Sequence, residues 1–189
     1  MADERVAVFL APGCEEIEAL TVVDILYRAS IACDTVSVAE GREVTSSHKV
    51  TVIADKHVSE VDFSAYDMLV LPGGLPGTPN LHACAPLMEA VHEFADQGKL
   101  LSAICAAPSV FAEEGLLEGV RATSNPGFQH VLAEQGADLV ADEPVVLDGI
   151  YTTSQGMGTA IDFALEIVRR FKGDDEVERL KGAVVYWDR

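Results

Sequence analysis

At 189 residues, with 49% hydrophobic and 23% charged residues, the chain suits one domain with a sizeable core, and no stretch is both long and apolar enough to span a bilayer. A formal net charge of −18, from 31 acidic and 13 scattered basic residues, would repel phosphate backbones and argues against nucleic-acid and membrane partners; it reads as a solvated acidic surface. The acidic start Met1-Ala2-Asp3-Glu4-Arg5 precedes only a short apolar run, which is not the pattern of a secretory signal, so the expected location is the cytoplasm.

Arg5 to Leu10 is a β-branched, apolar run closed by the turn Ala11-Pro12-Gly13, and a helix is expected from about Glu15 to Ala29. Extended segments follow at Asp34 to Val38 and Lys49 to Ala54, with a polar, hairpin-like excursion over Gly41 to His48. Met68 to Leu71 reads as a buried parallel strand ending at Pro72-Gly73-Gly74. A surface helix over Ala85 to Gln97 is closed by Gly98, and the strand Leu100 to Ile104 runs into Cys105 and a helix from about Ala107 to Glu114. A helix near Gly127 to Gln135, strands at Pro144 to Leu147 and Ile150 to Thr153, and a helix from Thr159 to Phe171 complete the order. Strands alternating with helices predict an α/β domain over residues 1–189, a doubly wound, mostly parallel sheet with helices on both faces and sites at the carboxyl ends of its strands.

Three loops would then open on one edge: Ala11 to Cys14, Pro72 to Gly77 and the Cys105 junction. Ala103-Ile104-Cys105-Ala106-Ala107 has the small-x-nucleophile-x-small form of an elbow, a sharp turn that exposes the middle side chain. At a helix N-terminus the macrodipole would favour thiolate and lower the pKa of Cys105. Cys14, Cys33 and Cys84 show neither CxxC pairing nor metal-site spacing, so free, inert thiols are expected and no metal is. The Gly74 N–H, with that of Ala106, suits an oxyanion hole, although a plain tight turn also accounts for two glycines. Glu15 and Glu16 read as surface acids in a first helical turn. Glu18 lies one turn in, beside Ala19 and Leu20, and is a candidate inward-facing carboxyl.

Together, Leu10 to Glu18, Leu71 to Gly74, Ala103 to Pro108 and Thr153 to Thr159 resemble the ThiJ/PfpI superfamily, most of all its DJ-one/YajL branch, over nearly the whole chain and in the same order. The resemblance implies a flavodoxin-like fold, a homodimer and no cofactor. It also implies Cys105 as nucleophile and oxidation sensor, Glu18 as the carboxyl touching it, and Gly74 as a backbone donor. That branch often carries a histidine where this chain has Asn125, which can hydrogen-bond a substrate oxygen but cannot move a proton. The protease branch has a histidine directly after the cysteine, here Ala106, and no histidine follows His130 to serve an amidotransferase. The function implied is cofactor-free removal of reactive dicarbonyls or early glycation adducts, its substrate a small aldehyde or glycated protein; the rival is an oxidative-stress sensor or redox-regulated chaperone in which Cys105 becomes a sulfinate.

Overall fold

The computed structural model describes residues 4–187. The chain begins with β1 (Arg5–Leu10), α1 (Glu16–Arg28) and β2 (Ala32–Ser37), then makes the short strands β3 (Glu43–Thr45), β4 (Thr51–Ile53) and β5 (Lys56–His57). β6 (Met68–Leu71), α2 (Gly77–His82), α3 (Ala85–Gln97), β7 (Leu100–Ile104) and α4 (Pro108–Glu113) follow. β8 (Arg121–Ala122), α5 (Gln129–Glu134), β9 (Asp138–Leu139), β10 (Val145–Asp148), β11 (Tyr151–Ser154), α6 (Ala160–Lys172) and α7 (Asp174–Ala183) close the order.

The main sheet runs β10-β11-β7-β6-β1-β2-β5. All its pairings are parallel except that of β10 with β11. Because side chains alternate along a strand, β1 feeds two cores. Ala7 and Phe9 join Leu69, Leu71, Val91, Phe94 and Phe111 on the face covered by α3 and α4. Val6, Val8 and Leu10 join Met68, Val70, Val22, Leu26, Phe163 and Val168 under α1 and α6. Each such fully buried large side chain contributes about 1.5–3 kcal/mol relative to exposure. The architecture is the α/β, flavodoxin-like one, with helices on both faces of a mostly parallel sheet.

Boundaries coincide with the sequence reading or move by one or two residues, and one segment stays outside the main sheet. The strand expected over Lys49 to Ala54 does not enter the main sheet; it shortens to β4 and forms an antiparallel hairpin with β3. That hairpin is pinned across the loop after β1, where Gly13 N–H donates to Thr45 O (2.8 Å) and Ser47 N–H to Cys14 O (2.9 Å). The helix after the elbow starts at Pro108, with Ala107 as its N-cap, and is only six residues long.

Candidate active site at the Cys105 elbow

β1, β6, β7 and β11 are parallel neighbours, so the loops at their carboxyl ends meet at one edge of the sheet. The sharpest is the elbow. Cys105 has φ 65°, a left-handed conformation that costs a non-glycine residue on the order of 1–3 kcal/mol. The surroundings enforce it. Cys105 N–H donates to Ser154 O (3.0 Å), while Asn125 N–H and Ser124 Oγ both donate to Cys105 O (2.8 Å each). Ala103, Ala106 and Ala107 are buried, and larger side chains there would push strand and helix apart.

Facing the thiol is Glu18, only 1% exposed. Gly73 N–H donates to its Oε2 at 2.9 Å, whereas Oε1 has no hydrogen-bond partner. Burial raises this carboxyl to about 7; the nearby Cys105 thiol and the Gly73 N–H oppose the rise, and the charge of Glu15 adds to it. The glycine pair is more than a turn. A Cβ on Gly73 would lie 2.6 Å from Cys105 Cβ and 2.9 Å from Glu18 Oε2, so only glycine lets this strand end pass between nucleophile and carboxyl.

The thiol departs from expectation. Burial, and then the charge of Glu18, push Cys105 up to about 12, and the N–H groups of Ala106 and Gly74 pull it the other way. The predicted lowering by a helix dipole fails because α4 is short and begins three residues after the cysteine, whereas the carboxylate is adjacent. The two groups therefore titrate as a pair. With one proton between them, protonating Glu18 removes the repulsion that holds the thiol up, and the N–H groups of Gly74 and Ala106 favour the charge on sulfur.

Gly156, in the loop after β11, borders the site without a side chain. A Cβ placed on it would lie 3.5 Å from Asn125 Nδ2, 3.8 Å from Glu18 Oε1 and 3.9 Å from Cys105 Sγ. The backbone of Gly156 therefore borders thiol, carboxyl and amide at once, and any side chain there would stand among the three. Its φ of 157° and ψ of −169° belong to a region essentially reserved for glycine. Asn125 is oriented for this contact, since its Oδ1 accepts from Gly127 N–H at 3.0 Å and its Nδ2 is left to donate. The structure thus gathers Cys105, Glu18, Gly74, Ala106 and Asn125 at one place.

Sequence reasoning gave Gly156 no role, although a glycine two residues after the polar end of β11 was a signal. It also placed Glu15 and Glu16 on the surface. Their side chains are only 14% and 13% exposed, covered by the β3–β4 turn, with His48 Nδ1 3.5 and 3.2 Å away. Among the described residues these three are the one group whose donor atoms stand within 4.8 Å of one another, as a metal would need; the two carboxylates stand against the exposed His48 ring. All four cysteines are free. Burial raises Cys14 to about 11, Cys33 to about 12, and Cys84 above its ordinary value.

An open parallel sheet with a strained cysteine elbow beside a buried glutamate defines a flavodoxin-like protein built around one thiol. The DJ-1/PfpI family model matches residues 4–170, and the chain belongs to that family. It is 35% identical over 182 residues to protein dj-1beta of Drosophila melanogaster, covering 96% of this chain and 97% of that one. The crystal structure of Drosophila DJ-1beta superposes with a TM-score of 0.94 at 33% identity, covering 98% of this chain and 100% of the other. A Toxoplasma gondii DJ-1 described as oxidized gives a TM-score of 0.92 at 32% identity, covering 98% and 100%. The Caenorhabditis elegans glutathione-independent glyoxalase DJR-1.2 is 29% identical, covering 95% of this chain and 96% of that one. The chain spans only 41% of the length of protein DJ-1 homolog B of Arabidopsis thaliana, to which it is also 35% identical. Among the described residues no helix is long and apolar enough to cross a membrane.

Proposed function

We propose that the protein is a cofactor-free enzyme that converts reactive 2-oxoaldehydes, or early adducts of them, into 2-hydroxy acids. The observation that carries this reading is the convergence of the Cys105 thiol, the Glu18 carboxyl and the Asn125 amide, whose Sγ, Oε1 and Nδ2 all stand within 3.9 Å of where a side chain on Gly156 would begin. An aldehyde carbon held against Sγ is attacked by sulfur while the thiol proton passes to Glu18, so the doubly charged pair never forms. The N–H groups of Gly74 and Ala106 hold the oxygen as charge develops on it. Asn125 Nδ2 donates to the second carbonyl oxygen.

Glu18 then returns its proton to the first oxygen, completing the hemithioacetal, removes the hydrogen on that carbon, and delivers a proton to the neighbouring carbon, while the hydroxyl proton of the first oxygen passes to the second. The result is a thioester of the 2-hydroxy acid. Water cleaves the C–S bond, releasing the acid and regenerating the thiol, so one water is consumed and no outside oxidant is needed. A carboxyl near 7 suits both directions of transfer at neutral pH. The name of the C. elegans relative supports this chemistry. The test is lactate formation from methylglyoxal by purified protein; absence of turnover that depends on Cys105 sinks the reading.

A second reading, an oxidation sensor or redox-regulated chaperone, is favoured by the unpartnered Glu18 Oε1 and by the oxidized Toxoplasma relative. Two equivalents of peroxide take the thiol to sulfinate, each becoming water, and protonated Glu18 donates to the product. An unchanged intact mass after mild peroxide counts against it. For quaternary structure we propose a homodimer through the face of α1, where Ile17 and Leu20 stand 48% and 38% exposed beside Ile161 of α6 and Val185. Light scattering gives twice the chain mass if this holds, and the chain mass if it does not. The proposed location remains the cytoplasm.

A further inference from the structure

Beside the elbow, on the side away from α1, lies a cavity of about 340 Å³ between α2, α4 and α5. Its walls are Leu75, Pro79, Val110, Phe128 and Val131, with Thr78 and Ser109 among them. Thr78 is buried and its hydroxyl has no hydrogen-bond partner.

Three of its lining residues are each one backbone hydrogen bond from a residue that borders the thiol. Thr78 N–H donates to Gly74 O (2.8 Å), Ser109 N–H to Ala106 O (3.0 Å), and Phe128 N–H to Asn125 O (2.7 Å). The three elements that present the two N–H donors and the amide to the reacting atoms therefore also enclose this space. At its rim His82 Nδ1 faces Glu113 Oε2 at 3.3 Å, and Glu114 lies against His82 Nε2 at 2.8 Å.

We infer that this cavity is the subsite for the substituent of the aldehyde, and that it selects an apolar group larger than methyl, of phenyl or branched alkyl size. The inference rests on the proposed aldehyde chemistry. A methyl group leaves such a volume unfilled, whereas a larger apolar group gains contact with Val110, Phe128 and Val131 and leaves water. The carboxylates at the rim disfavour an anionic substituent.

The test is the ratio of kcat/KM for phenylglyoxal to that for methylglyoxal. Val131→Phe fills the cavity and lowers the ratio roughly tenfold or more, within what a pocket gains or loses through a few carbon atoms. Phe128→Ala, at a partly exposed position outside both core clusters, lowers it by a smaller factor. A ratio unchanged in both variants overturns the subsite. The same comparison is made without turnover, from intact-mass rates of Cys105 alkylation by N-benzyl- and N-methyl-iodoacetamide. If the wild type consumes neither aldehyde, the enzyme reading fails by itself. The alkylation ratio still decides the subsite: a benzyl preference lost in Val131→Phe upholds it, and none in the wild type refutes it.

Discussion

Cys105 and Cys33 share a titration state and almost nothing else. Burial drives both thiols to about 12, so at neutral pH neither is a free thiolate on its own. Cys33 lies within β2, beside Asp34 and in register with Val6 of β1, and the charges of Asp34 and Asp55 only add to its rise. Cys105 stands in left-handed backbone with two N–H groups directed at its sulfur and a carboxyl near 7 beside it. The difference is a route for the proton. A raised pKa describes the isolated ionisation, whereas reactivity depends on whether an acceptor is in place when the new bond forms.

The sharpest way to break this comparison is to exchange the sulfurs. Cys105→Ser should lower dicarbonyl turnover by roughly a thousandfold or more, while Cys33→Ser stays within about twofold, measured as kcat/KM for methylglyoxal; equal losses would show that the elbow is not special. Next in size, Glu18→Gln keeps an oxygen for the Gly73 N–H but cannot move a proton, and kcat/KM should fall by roughly 10²–10⁴. The same variant carries a stability prediction. In the folded chain Glu18 holds its proton up to about 7 against an ordinary 4.5, so stability linked to it is fully present below 4.5 and lost as pH rises through 7. Urea unfolding at pH 8 should therefore find Glu18→Gln more stable than wild type by up to about 3 kcal/mol, an advantage that disappears at pH 4.

Two glycines sharpen the picture further. Gly156→Ala meets no atom closer than 3.5 Å but forces alanine into backbone reserved for glycine, so it should melt lower and lose most aldehyde turnover, because its methyl stands among thiol, carboxyl and amide. Gly74→Ala would drive a Cβ to 2.4 Å from Glu15 N and should fail to yield soluble, folded protein, as circular dichroism would report. The smallest effect is that of Asn125→Ala, about tenfold in kcat/KM, the value of one hydrogen bond to a polarised oxygen.

Much of this was legible in the chain. Apolar runs at β1, β6 and β7 and the small residues around Cys105 are local signals, and they placed both sheet and elbow. Less visible were elements whose identity depends on partners. α7 carries only Val177 and Leu180 into the core amid charged residues, and α2 is masked by Gly77 and Pro79. The inward position of Glu15 and Glu16 required the β3–β4 hairpin to fold over them. The direction of the Cys105 shift was misread for the same reason: the helix terminus is written in sequence, but the carboxylate and the burial arrive only through tertiary packing.

The central claim is that Cys105 and Glu18 share one proton, and alkylation tests it without reference to any substrate. The rate of iodoacetamide labelling of Cys105, followed by intact mass from pH 5 to 9, should rise through about 7 in the wild type as Glu18 becomes able to accept the thiol proton. In Glu18→Gln that limb should vanish, leaving only a rise at higher pH. Superimposable profiles for the two proteins would contradict the account.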